Sequence, residues 1–258
     1  MEGAVYVACS TLCFLRHPLD RALRIISELD FSKVDVAIHE SGPHLKPSEV
    51  AKDVAAAVQR VRIGPSLTPG AYDVEIETDD QEVFAKQLQA ICRMARLTTV
   101  STITLTPGPN SRSIGEEAER LKPLVTLATA EGINLTLATL MGTLTETPKK
   151  AIALCQAVPG LGLTLDPSHY LVGPHQGHPF ENVLPFVKHV HFRDTGRSPD
   201  QFQVRVGQGQ IEYGRIISQL NRVGYQRVLS VDIRDIPDAP FVMESEVRKL
   251  KFLLESLI

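Results

Sequence analysis

Short apolar runs recur about every 30 residues along this chain, and after each run the apolar spacing switches to a helical period. The runs predict strands near residues 4–10, 34–39, 72–77, 100–106, 133–139, 161–166, 188–192 and 227–232. Between them, Ile114, Ala118, Leu121, Val125 and Ala128 fall on one helical face. Phe84, Leu88, Ile91 and Ala95 repeat that spacing, as do Val247, Leu250, Leu254 and Leu257. The punctuation agrees. Ser113 with Glu116 reads as a capping box, Thr147-Pro148 as an N-cap followed by a first-turn proline, and Gly132, Gly160 and Gly224 as helix stops. Pro65, Pro69 and Gly70 break up the region before the third strand. Eight strand–helix alternations over 258 residues predict a (β/α)8 TIM barrel, one α/β domain spanning 1–258. No GxGxxG or Walker loop follows the first strand, which argues against an open nucleotide-binding sheet.

Strand parity then says which side chains face the barrel axis, because successive residues point to opposite faces. In Val34-Asp-Val-Ala-Ile-His39, the branched residues 34, 36 and 38 belong against helices, so Asp35, Ala37 and His39 point inward. The same alternation turns Asn134, Thr136, Ala138, Thr164, Asp166, His189, His191, Ser230 and Asp232 inward. Active sites of such barrels sit at the C-terminal ends of the strands. Asp166, His191, Asp232 and His39 are therefore expected to converge at that mouth.

Composition narrows the partners. A net charge of −3, no Trp and 5% aromatic residues give neither the field nor the stacking surfaces for nucleic acid. No run approaches the roughly 18 apolar residues of a membrane span. Cys9, Cys13, Cys92 and Cys155 form no CxxC pair and read as core residues of a reducing compartment. Met1-Glu-Gly has an acid where a signal peptide carries basic residues, so a cytoplasmic location is expected.

Three motifs carry a family resemblance: Leu165-Asp-Pro-Ser-His169, His189-Val-His-Phe-Arg-Asp194 and Val206-Gly-Gln-Gly-Gln-Ile211, with Met141-Gly-Thr-Leu-Thr-Glu-Thr-Pro148 after strand five. In their order and spacing the chain resembles the xylose-isomerase-like barrels, a superfamily of sugar and sugar-phosphate isomerases and epimerases that also includes endonuclease IV. The resemblance implies one divalent metal ion (Mn, Mg, Co or Zn) held by Glu, Asp, His and Glu on strands five to eight. It also implies that the two Glu move protons beside a carbonyl. Asp166 matches the strand-six ligand and His191 the strand-seven ligand. Asp232 stands for the strand-eight Glu, its carboxylate drawn back by about 1.5 Å. Ala138 stands at the strand-five position, where it can neither bind a metal nor take a proton.

His169 reads as a fourth ligand, an acid or a loop residue. His39 reads as a substrate contact, and His189 as a hydrogen-bonded core histidine. Arg193 and Asp194 have opposite parities, so both cannot line the pocket. Arg205 reads as a clamp on phosphate or carboxylate, or as a solvated arginine. Gln201 and Gln203 lie where the endonuclease would need metal ligands, which argues against DNA repair. Two functions remain. In one, a metal on Asp166, His191 and Asp232 activates a sugar or sugar-like polyol, and Asp232 or His169 moves the proton of an isomerase or epimerase. In the other, the barrel has lost catalysis and binds a carbohydrate or metabolite.

Overall fold

In the computed structural model, which describes residues 5–62, 67–237, 239 and 241–258, eight parallel strands close into one barrel in sequential order. They are β1 (Tyr6–Ser10), β2 (Lys33–His39), β3 (Thr68–Glu75), β4 (Thr102–Leu105), β5 (Asn134–Ala138), β6 (Gly162–Leu165), β7 (Val187–Phe192) and β8 (Val228–Val231). The connections carry α1 (Leu19–Glu28), α2 (Pro47–Lys52), α3 (Val54–Val61), α4 (Gln81–Leu97), α5 (Ile114–Ala130), α6 (Pro148–Ala157), α7 (Pro167–Val172), α8 (Tyr213–Arg222) and α9 (Met243–Glu255). The expected fold is thus present, and seven of the eight strands lie at the expected positions to within two residues at each end, the third excepted. Residue 4 of the first expected strand, the start of the chain and Pro65 lie outside the described residues.

Most of the helix signals act as their chemistry requires, although Thr147 holds the N-cap position of α6 without a side-chain capping bond. Ser113 and Glu116 form the reciprocal capping box at the start of α5, and Pro148 opens α6. After α5, Gly132 turns the chain at a φ of 77°, a left-handed geometry that costs a residue with a Cβ. Ala118, Leu121, Val125 and Ala128 are buried against the sheet, as are Leu88, Ile91 and Ala95 of α4.

The third strand starts earlier than expected. Pro69 and Gly70 lie within β3 because Lys33 to His39 pairs along it with a register shift at Val34/Asp35, which leaves Gly70 unpaired against β2. The shift sets which β3 residues face the axis near the mouth. Inside the barrel the parity argument holds. Val34, Val36 and Ile38 are fully buried on the helix side, while Thr104, Thr136 and Thr164 meet across the axis with hydroxyl contacts of 2.7 to 3.2 Å.

Candidate active site at the barrel mouth

Asp166 follows β6 directly and caps α7, its Oδ1 accepting the Ser168 N–H at 3.0 Å. Its other oxygen turns to Arg193, whose Nη2 lies 2.8 Å away. The same nitrogen donates to Asp232 Oδ2 at 2.6 Å. Arg193 comes directly after β7 and shares the inward face with His189 and His191, so its long side chain crosses the mouth. Arg234, beyond β8, places Nε 3.3 Å from the same Asp232 oxygen. Asp232 is fully buried between these two cations. Burial would raise its pKa, but the charges of Arg234, Arg193 and His191 outweigh burial and hold it below the usual carboxylate range.

One layer down, His189 Nε2 and His191 Nε2 both contact Asp35 Oδ2, at 2.6 and 3.1 Å. Burial favours a neutral His191 ring, yet the Asp232 charge and the Asp35 hydrogen bond push its pKa up to about 9. Among the described residues, Asp35, His189 and His191 are the one trio of metal-ligand types whose donor atoms lie within 4.8 Å of one another.

The opposite wall of the mouth comes from β2 and β3. His39 Nε2 sits 3.4 Å from Asp73 Oδ2, and Nδ1 sits 3.6 Å from Glu75 Oε2. Burial opposes the His39 charge, but the Asp73 contact and the Asp73 and Glu75 charges raise its pKa. His169 behaves oppositely. Burial, helped by Arg193 and Arg234 against the pull of Asp166, lowers its pKa to about 4. Its Nδ1 accepts the Met141 N–H at 3.3 Å, which leaves the proton of the neutral ring on Nε2.

These walls enclose a cavity of about 340 Å³ whose lining includes His39, Glu75, Asp166, His169, Arg193 and Arg234. Of the residues singled out from the sequence, His39, Asp166, His169 and His191 line it, and Ala138 faces it from β5. Asp232 lies behind Arg193, outside the lining. Arg205 is exposed on the loop after Val204 and takes no part in the cavity. Asp194 points the other way and holds that loop, accepting the Gly207 and Gly209 N–H groups at 2.8 and 3.0 Å.

Sequence reasoning missed Asp73, Glu75 and Arg234 as site residues and left Arg193 open against Asp194. A period-two signal was present for each. Asp73 and Glu75 alternate along β3, Arg193 lies two residues beyond His191, and Arg234 two beyond Asp232.

With the barrel and its mouth described, comparison with known proteins assigns the family. The family described as "Xylose isomerase-like TIM barrel" matches residues 23–253. The chain belongs to it. An uncharacterized protein of Methanocaldococcus jannaschii is 27% identical over 140 residues, a match covering 50% of this chain and 46% of that protein. The match thus spans about half the length of that curated relative. Two solved structures share the fold. A D-tagatose 3-epimerase-like protein superposes with a TM-score of 0.72 at 19% identity, covering 98% of both chains. A xylose isomerase-like TIM barrel protein from Mycobacterium smegmatis, solved in complex with magnesium, gives 0.75 at 16% identity, again over 98% of both. At these identities the likeness is one of fold.

Proposed function

We propose that the protein takes a small sugar or sugar-like polyol into the mouth cavity and isomerises or epimerises it by moving a proton beside a carbonyl. The observation that carries this reading is the cavity wall. His39, Glu75, Asp166, His169, Arg193 and Arg234 bring hydrogen-bonding groups from five strands to a space of about 340 Å³, within the small-molecule range. A polyol needs many directed polar contacts, which such a wall can offer. The epimerase-like solved relative points to the same chemistry.

Arg193 and Arg234 offer fixed positive charge to a carbonyl or enolate oxygen, where such charge favours the transition state. Glu75, on the cavity wall and 46% exposed, is placed to take the C–H proton, and His39, with its raised pKa, to protonate the oxygen. His39, then neutral, takes the proton of the hydroxyl on the carbon that lost its hydrogen while Glu75 returns its proton to the former carbonyl carbon, which completes an isomerisation. Asp232 and His169 fit proton transfer less well. Asp232 is sealed by two guanidinium groups, and the free ring position of His169 carries a hydrogen, which suits it to donate a bond to a substrate oxygen.

The divalent ion implied by the resemblance does not fit between Asp166, His191 and Asp232 as they stand, because the Arg193 guanidinium is bonded to both acids. Asp35, His189 and His191 form a donor set that suits zinc or a similar ion. Asp35 and His189 lie beneath the cavity and His191 on its lining, 1%, 1% and 5% exposed, so no substrate step is assigned to the trio. No helix among the described residues is long and apolar enough to cross a membrane. The four free, buried cysteines support a reducing, cytoplasmic setting.

A second reading, binding without turnover, is favoured by Ala138, whose methyl group stands where the resemblance calls for a proton-moving Glu. Incubation with ketoses and aldoses in D2O, followed by NMR, separates the two. Exchange of a C–H beside the carbonyl supports the isomerase, whereas saturable binding without exchange supports the binder. Neither binding nor exchange across pentoses, hexoses and their phosphates would sink both.

A further inference from the structure

Both acids that a mouth-bound metal would need are already bridged by a protein cation. The Arg193 Nη2 lies 2.8 Å from Asp166 Oδ2 and 2.6 Å from Asp232 Oδ2. The arginine is 2% exposed, and its guanidinium carbon sits 5.0 Å from the Phe202 ring centroid. It is thus held on two sides by carboxylates and over a third by an aromatic face. From the end of β5 the cavity is lined by Ala138, Thr139 and Leu140, none of which carries a carboxylate. Arg234 adds a second guanidinium on the Asp232 oxygen that Arg193 already holds.

We propose that Arg193 takes the place of the divalent cation in this barrel, so that a guanidinium rather than a metal positions Asp166 and Asp232 and presents positive charge to the ligand's oxygens. Three physical points support the exchange. A hard cation bonded to those Oδ2 atoms would lie roughly 2.0–2.6 Å from each, in space the Arg193 nitrogen fills at hydrogen-bond distance. Removing Arg193 from that position would break two buried charge-assisted bonds. Two guanidinium groups already balance the two acids, so a dication added beside them would find no net negative charge on these groups to hold it. The loss of a carboxylate at position 138 and the inward turn of Arg193 act in the same direction, since each weakens the site for a dication. The inference concerns the cation alone and holds for any ligand.

Its test therefore reads the ion. Metal content of the native protein, of Asp166→Asn and of the double variant Ala138→Glu/Arg193→Met is measured by mass spectrometry. Each is then titrated with Mn²⁺, followed by EPR and by thermal shift with and without EDTA. The native protein is expected to hold no ion that Asp166→Asn removes, and to show no EDTA-sensitive melting that depends on Asp166. The double variant is expected to gain about one Mn²⁺ per chain, with affinity at least tenfold above native. An ion lost on Asp35→Ala and kept in Asp166→Asn belongs to the deeper trio and agrees with the proposal. A stoichiometric native ion lost on Asp166→Asn overturns it, as does a folded double variant that binds Mn²⁺ no better than native. Should the double variant not fold, the native and Asp166→Asn measurements decide.

Discussion

His189 and Asp35 meet across the barrel axis, Nε2 to Oδ2 at 2.6 Å, although 154 residues separate them in the chain. His191 shares the same carboxylate oxygen at 3.1 Å. Burial would raise the Asp35 pKa, and the two imidazoles outweigh it and hold the acid below its usual range. Because all three are buried, Asp35→Ala strands two ring nitrogens without an acceptor. The expected loss is about 3 kcal/mol, or roughly 6–12 °C in Tm. Asp35→Asn keeps one acceptor and should lose less. Calorimetry and urea unfolding of both variants check the ranking.

Glu117 supplies a pH prediction away from the mouth. Its side chain is fully buried, bonded to Arg112 and Arg120 at 2.6 Å and to the Gly108 N–H at 3.0 Å. Burial raises its pKa, and the two arginines and the amide outweigh burial to lower it. A depressed carboxylate stabilises the fold fully above its ordinary pKa, and that contribution is lost as pH falls through the folded value. Glu117→Gln should thus lose about 2 kcal/mol at pH 7. The gap from wild type should shrink as pH drops below about 4.5, the ordinary value. Unfolding curves for both proteins at pH 7, 5 and 3.5 measure it. A gap that stays constant over this range would contradict the ion-pair account.

The loop after β7 depends on Asp194. Besides the Gly207 and Gly209 amides, the carboxylate accepts the Thr195 N–H at 3.0 Å. A Cβ on Gly209 would run into that carboxylate and the Thr195 carbonyl, so Gly209→Ala must displace the loop. Both Gly209→Ala and Asp194→Asn should raise amide hydrogen exchange over residues 195–211 while leaving α4 and α5 protected. Mass-spectrometric exchange reports this directly.

On the isomerase reading, His39→Gln should lower C–H exchange by about 10²-fold or more while leaving ligand affinity within a few fold, since an acid acts mainly in the transition state. Its raised pKa follows from Asp73 and Glu75, so Asp73→Asn should move the alkaline limb of the pH–rate profile downward. NMR exchange rates between pH 6 and 9 follow that limb. An equal loss of affinity and rate in His39→Gln would leave the residue a binding contact only.

The barrel was legible before any coordinates because its evidence is local. Apolar runs, helical spacing, the Ser113–Glu116 cap and Gly132 each act within a few residues, and the period-two alternation placed Asp166, His189, His191 and Asp232 on the inward face. The third strand was placed late because its register depends on a bulge opposite Val34/Asp35, a property of two paired strands.

The sequence by itself determined the fold, the inward faces of β2 and β5 to β8, and His39, Asp166, His169 and His191 as residues of the mouth. Only the tertiary structure decided what cation those acids hold. Arg193 and Asp232 lie 39 residues apart, and a long flexible side chain can reach any of several partners until the closed barrel fixes the distances. Parity states that Arg193 points to the axis. Its bond to two carboxylates exists because β6, β7 and β8 pair side by side in the closed barrel and bring the three residues within reach.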